Sequence, residues 1–140
     1  MLATAGAAGV SPLLLTRSGQ RDRRILAGMD VELLVVPDCP NEVHAAALLR
    51  TALDDVGLAR IPITTTVIDT REDAGRRGFV GSPTILIDGE DPFAEPGRPA
   101  ALACRIYRNT TGPAGIPDLL QLRQALKRVA AANLRESGAV

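Results

Sequence analysis

The sequence predicts an α/β fold of order β-α-β-α-β-β-α around a mixed four-stranded sheet. Three observations lead there. An apolar, β-rich run at residues 31–36 is stopped by Pro37 and followed at once by a helical stripe. A run of β-branched residues at 61–68 comes directly after that stripe. Two further short runs, at 84–88 and 102–108, precede a last amphipathic segment at 118–132. Strand runs alternating with helical ones are the pattern of a parallel crossover, whereas two successive strands imply an antiparallel pair.

Each element has its own local reason. Residues 31–36 are apolar apart from Glu32, as expected of a central strand covered on both faces. In the next segment Ala45, Ala46, Leu49, Ala52, Leu53 and Val56 fall on one helical stripe, with Pro40 suited to the first helical position and Gly57 to the residue past the end. The strand at 61–68 should pair parallel to the first. Thr70 and Asp73 form a capping signal for a short polar helix at 70–77. Residues 89–101 are dense in proline and glycine and are expected to form a long hairpin loop between the strands at 84–88 and 102–108. After Pro117, the positions of Leu119, Leu122, Ala125, Leu126 and Val129 predict the closing helix. Residues 1–28 show no sustained period and carry the basic cluster Arg21-Asp22-Arg23-Arg24. They are expected to be a flexible N-terminal extension, with Met29 as an alternative start and the folded domain at 29–140.

Composition narrows the partners. The chain has 140 residues, 46% of them hydrophobic, enough for one domain with one core. Sixteen basic residues balance sixteen acidic ones, which gives no electrostatic support for a nucleic acid or an anionic membrane. Two cysteines match neither a disulfide-scaffolded domain nor a zinc finger. With no export signal and no span-length apolar run, a reduced cytoplasmic setting is expected. No cofactor and no metal are expected.

Cys39 is the first candidate for chemistry. In Pro37-Asp38-Cys39-Pro40-Asn41-Glu42 it stands at a strand-to-helix turn, at the expected N-cap or first helical position, where unpaired N–H groups favour the thiolate. Glu42 is then the third helical residue, suited to capping, and also close enough to take the thiol proton or to oppose its loss. Cys104 alternates with Leu102 and Ile106 on one face of its strand, which predicts a buried thiol about 10 Å below the rim that holds Cys39. Ser82–Pro83 is a candidate cis bond. Ser82, Pro83 and Thr84 are expected to line a substrate groove beside Cys39. His44 falls on the polar side of the first helix, and Arg105, Tyr107 and Arg108 stand near the groove. The loop at 109–116 follows the fourth strand at the same rim.

Cys39-Pro40, Gly81-Ser82-Pro83-Thr84, Asp88-Gly89 and Cys104-Arg105-Ile106-Tyr107, in this order, resemble a family of small bacterial thioredoxin-like proteins, some labelled alkylmercury-lyase-like. The resemblance spans roughly residues 29–132. It implies a thiol-dependent oxidoreductase in which Cys39 attacks a protein or small-molecule disulfide and either Cys104 or an external thiol resolves the product. Glu42 stands where dithiol thioredoxins have their second cysteine, so exchange within the turn motif itself is ruled out. Two alternatives stay open. One is soft-metal chemistry, mercury or copper held by Cys39 and Cys104 with Asp38 or Glu42. The other is a non-catalytic binding module on the same fold.

Overall fold

A computed structural model describes residues 29–138; the extension expected at residues 1–28 lies outside them. The elements are β1 (Val31–Val35), α1 (Glu42–Asp55), β2 (Ile63–Val67), α2 (Arg71–Arg77), β3 (Thr84–Ile87), β4 (Tyr107–Asn109), β5 (Gly112–Ala114) and α3 (Leu119–Gly138). β1 is central. It pairs parallel with β2, Val31 opposite Ile63, and antiparallel with β3, Leu34 opposite Thr84. The fold is mixed α/β, built on a three-stranded sheet of order β2-β1-β3 and a separate two-stranded sheet, β4-β5.

The alternation along β1 decides what each helix covers. Val31, Leu33 and Val35 enter the larger core with Ala45, Leu49 and Leu53 of α1 and Leu122 and Leu126 of α3. Leu34 points the other way, into a smaller core with Ile68, Ala74, Phe79 and Leu86 beside α2. A strand buried on both faces is therefore what the unbroken apolar run encodes. Leu33, Leu34, Leu49 and Leu53 are fully buried, each stabilising the fold by about 1.5–3 kcal/mol relative to exposure. Glu32 is the polar residue of the run. Its carboxylate accepts from Thr66 Oγ1 at 2.8 Å on β2 and from Arg77 Nη2 at 2.6 Å on α2, so it ties the edge strand to the short helix.

Helix boundaries follow local chemistry with one shift. Thr70 caps α2, its Oγ1 accepting from the Asp73 amide at 3.1 Å, and Gly78 closes it in the left-handed region at φ 64°. In α1 the cap is Asn41, without a side-chain cap bond, and the helix starts at Glu42. Glu42 is thus the first helical residue and not the third, and Cys39 precedes the cap by two positions. The far end of α1 is held by Arg50, whose guanidinium donates to the Ile61 and Ala59 carbonyls at 3.0 Å each and fixes the turn into β2. Among the described residues no helix is long and apolar enough to cross a membrane.

The expected four-stranded sheet does not form. Beyond the tight Ile87–Glu90 turn, the chain returns alongside residues 79–82 and runs parallel to them. The Ala101 amide donates to the Phe79 carbonyl at 3.1 Å, the Ser82 amide to Ala103 at 2.7 Å, and the Arg105 amide to Ser82 at 3.0 Å. What remains of the fourth strand is one parallel bridge, Ser82 to Cys104. The close crossing is possible because position 81 lacks a side chain: a Cβ there would lie 2.8 Å from Arg105 Cβ. Of the expected run only Tyr107 and Arg108 are in a strand, β4, which extends to Asn109 and pairs with β5, within the segment expected to be a loop.

The exposed and buried faces of this segment are also exchanged. Leu102 and Ile106 are 38% and 52% exposed and Cys104 is exposed, whereas Arg105 is 2% and Tyr107 3% exposed. The period-two alternation is real from Cys104 to Arg108, though Ala103 is exposed as well. Hydrophobicity assigned its faces the wrong way round because Arg105 and Tyr107 find specific partners that make burial favourable.

Candidate rim site around Cys39 and Cys104

β1 and β3 are antiparallel, so the end of β1 and the start of β3 share one rim of the sheet. The Val36 amide donates to Ser82 Oγ at 3.0 Å, which holds Ser82 against the chain three positions before Cys39. Between Val36 and Cys39, Pro37 and Asp38 form an exposed turn, Asp38 in the left-handed region at φ 57°. Cys39 itself is 9% exposed and belongs to the larger core cluster. Its carbonyl accepts from the Glu42 amide at 3.2 Å, turning the chain into α1.

The Gly81-Ser82-Pro83-Thr84 step is the most densely bonded part of the rim. Ser82–Pro83 is cis, as its sequence suggests. Ser82, Pro83 and Thr84 are all buried. Both backbone groups of Ser82 are engaged by residues 103 and 105, Thr84 Oγ1 donates to the Gly81 carbonyl at 2.6 Å, and Pro83's carbonyl accepts from the Tyr107 hydroxyl at 2.5 Å. The backbone that was expected to face an incoming substrate is therefore occupied by the chain's own segment 103–105.

That same segment brings Cys104 to the rim. Its bridge to Ser82 sets it level with the start of β3 and not about 10 Å below, and its thiol is free, as is that of Cys39. The far side of the rim is closed by the β5–α3 connection. There the Asn41 side-chain amide packs into the space left by the missing Cβ of Gly115. His44 is exposed on the outer side of α1. Among the described residues no three His, Cys, Asp or Glu side chains are gathered as a metal ion needs, so neither Asp38 nor Glu42 completes a set with the two cysteines.

Arg105 and Tyr107 form the support behind the rim that sequence reasoning missed as core. The Arg105 guanidinium donates to Asp91 at 2.8 Å, to Phe93's carbonyl at 2.8 Å and to Thr84 Oγ1 at 3.1 Å. It also lies 4.4 Å over the Tyr107 ring, which meets Phe93 edge-on at 5.5 Å. Charge–ring and edge-to-face contacts each contribute on the order of 1 kcal/mol. The available signal was the acidic residues Glu90, Asp91 and Glu95 within the proline- and glycine-rich loop, of which Asp91 is the one that meets Arg105.

Burial of Tyr107 raises its phenol well above the ordinary value; Arg105 opposes the rise, Asp91 adds to it and Arg98 opposes it. The folded state thus binds this proton more tightly than the unfolded chain, whose phenol titrates near pH 10. The associated stability is complete below about pH 10 and falls as pH rises beyond it, by up to about 1.4 kcal/mol per unit. Tyr107 is the chain's single tyrosine and there is no tryptophan, so phenolate absorbance reports on this residue directly. The absorbance is expected to rise only together with loss of the helical circular dichroism. A phenolate signal near pH 10 with the helix signal intact would contradict the buried hydrogen bond.

Compared with models of protein families, with curated proteins and with solved structures, the chain matches none.

Proposed function

We propose that this chain is a thioredoxin-like thiol–disulfide exchange protein that uses Cys39 and Cys104 as a pair. The order β-α-β-α-β followed by a closing helix, with α1 and α3 packed together on one face of the sheet, supports the fold part of that proposal. The observation that carries the functional part is the Ser82–Cys104 bridge, which brings the second thiol to the rim where Cys39 ends the β1 turn.

Exposure orders the steps. Cys104 is the exposed thiol and Cys39 the buried one, so an external disulfide meets Cys104 first. The Cys104 thiolate attacks one sulfur of R–S–S–R, forming a mixed disulfide and expelling one RS⁻. Cys39, after losing its proton to solvent, attacks the Cys104 sulfur, expels the second RS⁻ and leaves a Cys39–Cys104 disulfide. Two electrons pass from the protein dithiol to the substrate. This reverses the order expected from the turn position alone, which made Cys39 the first nucleophile. The second step requires the two α-carbons to stand within the usual disulfide span.

Mass spectrometry after exposure to oxidised glutathione tests the scheme. The wild type is expected to gain one glutathione and then lose it, ending lighter by two hydrogens. Cys39→Ser should stop at a stable adduct on Cys104. If the wild type also stops there, with Cys39 unmodified throughout, the paired mechanism is wrong and a non-catalytic binding module is the better account.

A further inference from the structure

Away from the cysteines' own chemistry, a cleft of about 320 Å³ opens between the loop at 92–98, the segment 105–108 and one side of α3. Its charge is lopsided. Arg98, Arg105, Arg108 and Arg128 line it, against the single carboxylate of Glu95. The whole chain is neutral, sixteen basic residues against sixteen acidic, so this excess is a local arrangement and not a reflection of composition.

The four arginines differ in what already holds them. Arg105 is neutralised from behind by Asp91, with side chains 1% and 10% exposed, and forms a fixed floor. Arg98 and Arg108 share Glu95 through long contacts of 3.6 and 3.5 Å. One carboxylate between two guanidinium groups at such distances leaves donors of both unused. Arg128, exposed on α3, has no acid partner among the described residues, and the neighbouring Gln121 and Gln124 amides are neutral donors on the same wall. Setting Asp91 against Arg105 and Glu95 against one of the others leaves two positive charges facing the cleft.

We infer that this cleft binds a small molecule through a phosphate or pyrophosphate group. Guanidinium groups present paired N–H donors that match phosphoryl oxygens, and several of them converging on one cavity suit a group carrying about two negative charges at neutral pH. The cleft's volume lies at the lower end of the range for small-molecule sites. Tyr107 and Phe93 give it a rigid aromatic wall, fixed by the Arg105 contacts. Recognition on this site is independent of the thiol chemistry proposed above and needs neither cysteine.

Calorimetric titration of the full chain with inorganic pyrophosphate at low ionic strength is the test, with citrate as a carboxylate comparison. One saturable site is expected, weakened by added salt. Arg128→Gln should raise Kd about tenfold, the worth of one charge-assisted partner, without altering the melting temperature, since Arg128 is exposed on a helix packed by other residues. Arg98→Gln should act in the same direction. Arg76→Gln on α2, outside the cleft, should leave Kd unchanged. Absence of saturable binding, an equal loss in Arg76→Gln, or tighter binding of citrate than of pyrophosphate would each overturn the assignment.

Discussion

Arg105→Leu is expected to be among the most destabilising single changes in this chain, by about 3–5 kcal/mol, or a melting temperature lower by roughly 12–20 °C for a domain of this size. The side chain is 1% exposed and its ion-pair partner Asp91 10%. Without the guanidinium, the Asp91 carboxylate and the Phe93 carbonyl lose their buried donor, and the charge 4.4 Å over the Tyr107 ring is gone. Leucine can refill part of the volume but cannot donate a hydrogen bond. The Asp91 carboxylate, left with only the Phe93 amide as donor and no countercharge, is the larger part of the penalty, so Arg105→Leu combined with Asp91→Leu should cost clearly less than the sum of the two single changes. Denaturant unfolding of the four species measures this. A loss below about 1 kcal/mol for the single change would mean that water reaches the pair and that the support behind the rim is not what holds residues 103–107 in place.

For Gly81→Ala a loss of roughly 2–4 kcal/mol is expected, from two causes that add. Gly81 has φ 143°, a region that residues with a Cβ rarely enter, and the new methyl carbon would lie 2.8 Å from Arg105 Cβ and 3.1 Å from its Cα. Neither neighbour can yield easily. The Arg105 amide is bonded to the Ser82 carbonyl at 3.0 Å and the Ser82 amide to Ala103 at 2.7 Å. Gly57→Ala separates the causes, because Gly57 has φ 83° but nothing within 4 Å of where its new methyl carbon would stand. That variant should show the backbone term alone, on the order of 1–2 kcal/mol. Equal losses in the two variants would mean that the crossing at Gly81 is not tight. If Gly81→Ala instead opens the Ser82–Cys104 bridge, it should also slow formation of the internal disulfide proposed above.

Much of the architecture was legible because it rests on short-range pattern. The apolar run of β1, the stripe of α1 carrying Ala45, Leu49, Ala52 and Leu53, the Thr70 cap of α2 and the stripe of α3 at Leu122, Ala125 and Leu126 are each decided within one element's own length, and each is observed as read. The cis Ser82–Pro83 bond belongs to the same class, since only proline takes that form cheaply.

What the amino-acid sequence determined by itself, then, is the set of elements up to β3, the parallel β1–β2 pair and the closing helix, because periodicity and capping are local and hydrophobic burial enforces them wherever the element docks. What only the tertiary structure decided lies between Asp88 and the closing helix: the loss of the fourth strand, the pairing of β4 with β5, the burial of Arg105 and Tyr107, and the exposure of Cys104 at the rim. An alternating strand has two faces, and its sequence does not say which one faces inward when one carries Leu102 and Ile106 and the other an arginine and a tyrosine. Partners distant in the chain settled the matter, Asp91, Phe93 and Thr84 for the guanidinium and Pro83's carbonyl for the hydroxyl. A buried charge or hydroxyl is unfavourable until those groups meet it, and favourable enough to turn a segment over once they do.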